Sequence, residues 1–179
     1  TGNKTSVFQF PHLLLGVLCL FLYVGVEVMA GDAIGTYGKS MGMPLDETKY
    51  FTTFTLVAML TGYVVGIFTI PKYISQQKAL LISAITGVVF TIMVFLTSGY
   101  ISIGFIALLG LSNALMWPAI FPLAIAGLGK FTKIGAAFLI MGIAGGALLP
   151  LLYATLKDPN GSFQLSNKLS FLICMLPCY

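Results

Sequence analysis

A carboxylate inside an apolar run is the first place in this chain where chemistry could happen. Glu27 lies within 21–28 (FLYVGVEV). A charged group at mid-helix costs about 2.5–3.5 kcal/mol on insertion scales, so it must face protein or water rather than hydrocarbon. At helical spacing Gly16, Leu20, Tyr23, Glu27 and Ala30 share one stripe. That stripe sets a hydrogen-bond acceptor and a flat phenol beside small residues, which leave room. A polyhydroxylated solute such as a sugar wants those groups: a carboxylate for its hydroxyls and an aromatic face for its C–H edge. Two structural roles compete with this one. Glu27 could pair with a partner on another helix, or sit near the outer headgroups. Asp32, five residues on and about 140° round the helix, is expected at the solvated interface.

Asn113 and Trp117 form a second constellation. They stand four apart, so a helix carries them on one face with Gly110 and Phe121. An amide in so apolar a run needs partners, which another helix or a ligand can supply. Trp117 is the chain's single tryptophan. Its alternative role is an interfacial anchor, but its place mid-run argues against the headgroup level.

The elements that position these residues must lie in a membrane. Of 179 residues 58% are hydrophobic and 8% charged, against about 25% charged in soluble domains, so lipid must be the solvent for most of the surface. All nine basic residues are lysines, scattered singly or in pairs, with no basic stripe or stacking platform for nucleic acid. Cys19, Cys174 and Cys178 lie in apolar stretches without a C-x-x-C pair, so they suggest neither a disulfide framework nor a metal site. No H-E-x-x-H, G-x-S-x-G or P-loop is present, and the single histidine, His12, is expected at an interface. An enzyme is not expected, and no cofactor is implied.

Apolar runs at about 11–34, 50–70, 79–97, 101–126, 134–155 and 167–179 predict five full spans and an incomplete sixth. The whole chain, 1–179, reads as one transmembrane unit cut within its last helix and preceded by further chain. Short links make consecutive helices antiparallel neighbours. If the first enters from the cytoplasm, Lys4, Lys72, Lys78, Lys130 and Lys133 are inside; Lys39, Lys49, Lys157 and Lys168 are outside, with Asp32, Asp46, Glu47 and Asp158. Five against four is a slight positive-inside bias. Gly62-x-x-x-Gly66 and Gly142-x-x-x-Gly146 predict close helix crossings. Pro118, Pro122 and Pro150 should bend their helices. The polar helices open each set of three, the arrangement of a 3+3 inverted repeat with its site near the midplane.

Three stretches resemble the fucose–proton symporter family of the major facilitator superfamily, especially its glucose/galactose branch. The stretch 113–130 (NALMWPAIFPLAIAGLGK) is similar to the family's tenth helix and following loop, 131–150 continues the match, and 21–28 is similar to the seventh helix. The resemblance implies an all-α fold: helices seven to twelve of a permease, the C-terminal six-helix half, whose first six helices are absent. It implies a monosaccharide permease of the bacterial inner membrane, working by alternating access with a coupling cation, proton or sodium. Its seventh and tenth helices line the sugar cavity, matching Tyr23, Glu27, Asn113 and Trp117. The expected partners are a small-molecule sugar, the lipid bilayer and the missing half. Two departures stand out. The loop after the second span, 71–78 (PKYISQQK), lacks the arginines common in the superfamily, and Gly62-Tyr63 stands where many relatives have Gly-Arg. The resemblance therefore does not carry over the gating contacts those arginines make. The same scaffold could instead carry a drug or a modified sugar, or serve as a non-transporting receptor or scaffold.

Overall fold

The computed structural model describes residues 6–70 and 72–179, without the side chains of Asp32, Ala33 and Leu45. Lys4 and the Asp32 side chain, assigned above to the inner and outer sides, lie outside the described residues.

Among the described residues five helices are long and apolar enough to span a membrane, a shorter apolar helix follows, and no strand occurs. The first, α1 (Pro11–Ser40), opens on a proline, whose fixed φ suits a first turn and whose missing N–H costs nothing there. It runs six residues past the apolar stretch. That extension is held by Tyr37, whose buried ring lies 5.3 Å from Phe171 and whose hydroxyl is 3.4 Å from Ser102 Oγ. Gly42 then takes φ 81°, which lets Met43 N–H donate back to the Gly38 carbonyl at 3.3 Å. A single turn, Leu45–Thr48, leads to α2 (Phe51–Thr69). Ser75 and Ser166 cap α3 (Gln76–Leu96) and α6 (Asn167–Cys178), each accepting a first-turn N–H at 3.3 Å.

The other two spans are interrupted. α4 (Gly99–Ile125) pauses at Ala114–Leu115, dividing Gly99–Asn113 from Met116–Ile125. Pro118 accounts for the pause: it has no N–H to give the carbonyl four residues back, Ala114, and its ring opposes that carbonyl. Pro122 sits inside the second segment. α5 (Gly129–Lys157) tightens to a 3-10 turn at Gly142–Ala144, while Pro150, where the sequence places the distortion, lies inside the unbroken segment Gly145–Lys157. The glycines there have no side chains to resist the tighter turn where α1 presses in.

The first three helices interleave with the last three. α1 lies against α5 and α4 against α2; exchanging the first three helices for the last three maps one crossing onto the other. α1 and α4 meet at the centre, and α3 and α6 touch each other. This is the 3+3 repeat. Both crossings depend on glycine, because any side chain would strike the partner's backbone. A Cβ at Gly145 would lie 1.8 Å from the Phe21 carbonyl oxygen, and one at Gly110 would lie 2.4 Å from that of Thr55. Gly62 faces Ala114 across the α2–α4 crossing. In α5 the closest approach thus belongs to Gly145, rather than to the spaced pair Gly142 and Gly146. Apolar side chains such as Leu60, Ile67, Leu81 and Ile85 point outward, as a lipid solvent allows. The protein is a multi-pass membrane protein.

Candidate functional site

The stripe predicted on α1 faces inward. Gly16, Leu20, Tyr23 and Ala30 are buried, and Glu27 is half-buried. Tyr23 and Glu27 are one turn apart, so their polar ends lie side by side. The Tyr23 hydroxyl is within interaction range of the Glu27 carboxyl and of the Tyr63 hydroxyl on α2. It makes no hydrogen bond of ordinary geometry and is left buried without a partner.

α4 supplies the opposite wall. Asn113 ends its first segment and is fully buried; Trp117 begins the second and is half-exposed. The pause between them falls inside the face the sequence assigns to both. The indole meets α1 across the bundle: its centroid is 6.5 Å from the Tyr23 ring, tilted by 55°. It also stacks on Phe121 at 6.0 Å and 19°. The indole thus packs both across the bundle and along its own helix. The Asn113 amide is divided. Its Oδ1 accepts from the Tyr179 hydroxyl at 2.6 Å, whereas its Nδ2 is buried and unpartnered.

No ion pair to Glu27 occurs among the described residues. Among the described residues the one ion pair is Lys49 with Asp46, 3.4 Å apart in the exposed link after α1. The helix-pairing role of Glu27 thus lacks its counter-charge. What the cluster offers is acceptor oxygens, phenol hydroxyls, an amide NH2 and two aromatic faces, with no basic group. That set suits an uncharged solute rich in hydroxyls.

A cleft of about 450 Å³ among α1, α3, α4 and the end of α6 is lined by Cys19, Leu22, Leu80, Met116, Ile120 and their neighbours, and excludes Glu27 and Trp117. The polar cluster reaches the surface through those two residues and Tyr63, all half-exposed. Tyr23 and Asn113 lie beneath them. Tyr63 was absent from the sequence assignment, and only its place next to Gly62 marked it. Tyr179 had no sequence signal at all.

No protein-family model matches the chain. It is 30% identical over 162 residues to the glucose/galactose transporter of Brucella abortus, covering 89% of this chain and 39% of that protein. A putative glucose/galactose transporter of Helicobacter pylori is 27% identical over 178 residues, covering 99% and 43%. The L-fucose–proton symporter of Escherichia coli is 25% identical over 164 residues, covering 90% and 37%. The crystal structure of an Escherichia coli fucose–proton symporter superposes with TM-score 0.82 at 22% identity, over 99% of this chain and 44% of that one. A major facilitator superfamily transporter crystallised in the outward conformation gives TM-score 0.81, over 97% and 45%. The chain spans less than half the length of each relative.

These helices therefore have the fold of one six-helix half of a major facilitator superfamily transporter. Over most of its length the chain is similar to proteins named as glucose/galactose transporters and L-fucose–proton symporters. Every relative named here is a transporter, none an enzyme.

Proposed function

We propose that this chain is the second six-helix half of a monosaccharide permease in a bacterial inner membrane, and that the complete protein moves a hexose by alternating access coupled to a proton or sodium gradient. The observation that carries the proposal is Glu27: a half-exposed carboxylate on a membrane-spanning helix, without an ion pair among the described residues, beside Tyr23 and Tyr63, with Trp117 packed near the Tyr23 ring. A structural carboxylate would be matched by a cation or buried among donors, because an unmatched charge in hydrocarbon is destabilising. A half-exposed, unmatched carboxylate beside aromatic faces fits a wall that awaits a solute. Glu27 accepts sugar hydroxyls and Trp117 packs on the ring; Tyr23 and Asn113 contribute their spare donors once the overlying side chains part. The missing half supplies the opposing wall and closes the cavity. The names and organisms of the relatives support the sugar class and the bacterial setting.

The test is counterflow in proteoliposomes holding the complete permease, with a panel of labelled hexoses, amino sugars, polyols and amphipathic drugs. Exchange of glucose, galactose or fucose, and not of the drugs, is expected. Exchange of drugs alone would move the chain to another cargo, and no exchange of any solute would remove the transporter assignment.

A further inference from the structure

Two helices far from the carboxylate reach into the site through one side chain. Tyr179, at the end of α6, turns its ring inward against Gly87 of α3, where a Cβ would lie 2.2 Å from the ring. Only a residue without a side chain leaves that seat open. The hydroxyl so delivered donates to Asn113 Oδ1 at 2.6 Å and lies within electrostatic reach of Glu27.

We propose that Tyr179 is a positioning residue for the solute site, holding the Asn113 amide so that its NH2 edge, rather than its carbonyl, is left for the solute. The proposal rests on the permease assignment above. An amide has an acceptor end and a donor end, and the two exchange by a half-turn of the side chain. Tyr179 removes the ambiguity. Donating to the carbonyl satisfies its own hydroxyl hydrogen; the flipped amide would leave that hydrogen buried and unpaired, which is unfavourable. With the carbonyl occupied, the buried Nδ2 is an unspent donor. The consequence concerns polarity. Glu27 is an acceptor, so a hydroxyl bound between the two needs a donor on the other side. A sugar hydroxyl can give its hydrogen to the carboxylate and accept one from the amide. Were the amide reversed, two acceptors would compete for one hydrogen. Gly87 and Tyr179 thereby set, from the outer helices, which way the inner site is wired.

Tyr179→Phe keeps the ring on Gly87 and deletes only the hydroxyl. In the complete permease it is expected to raise KM for the transported sugar several-fold to about tenfold, the scale of one oriented hydrogen bond, with maximal velocity unchanged and melting temperature somewhat lowered, since the buried Asn113 carbonyl loses its donor. Combined with Asn113→Ala it should add little further rise in KM, because both substitutions remove the same oriented donor. An unchanged KM, or effects that multiply in the double variant, overturns the proposal. Should Tyr179→Phe fail to insert, Gly87→Ala, which displaces the ring but spares the hydroxyl, must raise KM instead; a normal KM there overturns it equally. Failure of the permease assignment is read separately, as an absence of sugar counterflow in the wild-type protein.

Discussion

α1 and α4 hold equivalent places in the two three-helix units, yet they solve different problems. Each crosses a helix of the other unit at backbone contact, α1 on α5 at Gly145 and α4 on α2 at Gly110. Beyond that the likeness ends. α1 is one continuous helix carrying a carboxylate and a phenol; α4 is broken at Ala114–Leu115 and carries an amide and an indole. The symmetric feature is the one that holds the bundle together. The asymmetric features are the ones that could recognise a solute with distinct ends. A site built from two identical walls would offer the same groups twice, whereas a sugar presents hydroxyls on some edges and C–H on others. Substitutions at the crossings should therefore disturb both units alike, and substitutions on the polar faces should not.

The largest effect is expected at the crossings. Gly145→Ala would put a methyl against the Phe21 carbonyl, and backbone cannot swing aside as a side chain can. Overpacking of this kind destabilises by about 1–3 kcal/mol. Gly110→Ala, facing the Thr55 carbonyl, should cost a similar amount. Gly146→Ala is the control: its Cβ would meet Val24 and Val28 side chains at 3.0 and 3.1 Å, which can shift by a few tenths of an ångström. Thermal unfolding in detergent should show both backbone-facing variants well below Gly146→Ala. Equal stability of all three would mean that the crossings are looser than drawn.

Those glycines illustrate what could be read in advance. Hydropathy marks the apolar helices because a span must be long and apolar, although the first runs six residues past its stretch, and the 3.6 period shows that Tyr23 and Glu27 share a stripe. Spacing alone could not distinguish Gly145 from Gly146, since which of two adjacent glycines meets a backbone depends on the azimuth of the crossing. Helix breaks were harder still. Pro118 acts and Pro150 does not, because the outcome depends on what packs around each. Tyr63 and Tyr179 went unread for a simpler reason: a tyrosine in an apolar helix looks like any core aromatic until its hydroxyl is seen to reach across to another span. Asn113 was visible as a polar group in need of a partner, but the partner lay 66 residues away.

The second effect in size separates the two walls. Glu27→Gln keeps the shape of the side chain and removes its charge. Hydrogen bonds to a charged group contribute about 1.5–3 kcal/mol, so gradient-driven uptake by the complete permease should fall by about ten- to a hundredfold at normal expression. Melting temperature should hold or rise, since no cation loses its partner. Normal uptake would take Glu27 out of the site, and a fall in stability would make it a structural group after all.

The smallest effect concerns the break in α4. Pro118→Ala returns an N–H that can bond the Ala114 carbonyl, a contribution of about 1 kcal/mol, and lets the helix run through Ala114–Leu115. In a continuous helix Asn113 and Trp117 lie nearly in register, one turn apart. In the broken one the indole leans towards Tyr23 on α1 while the amide stays buried against Tyr179. Healing the break should therefore leave stability unchanged or slightly raised, yet shift KM by about two- to threefold as the aromatic wall moves off its setting. Pro122→Ala, inside an intact segment, should leave KM where it is. If both prolines behave alike, the pause in α4 has no part in shaping the site, and the difference between α1 and α4 reduces to the side chains they carry.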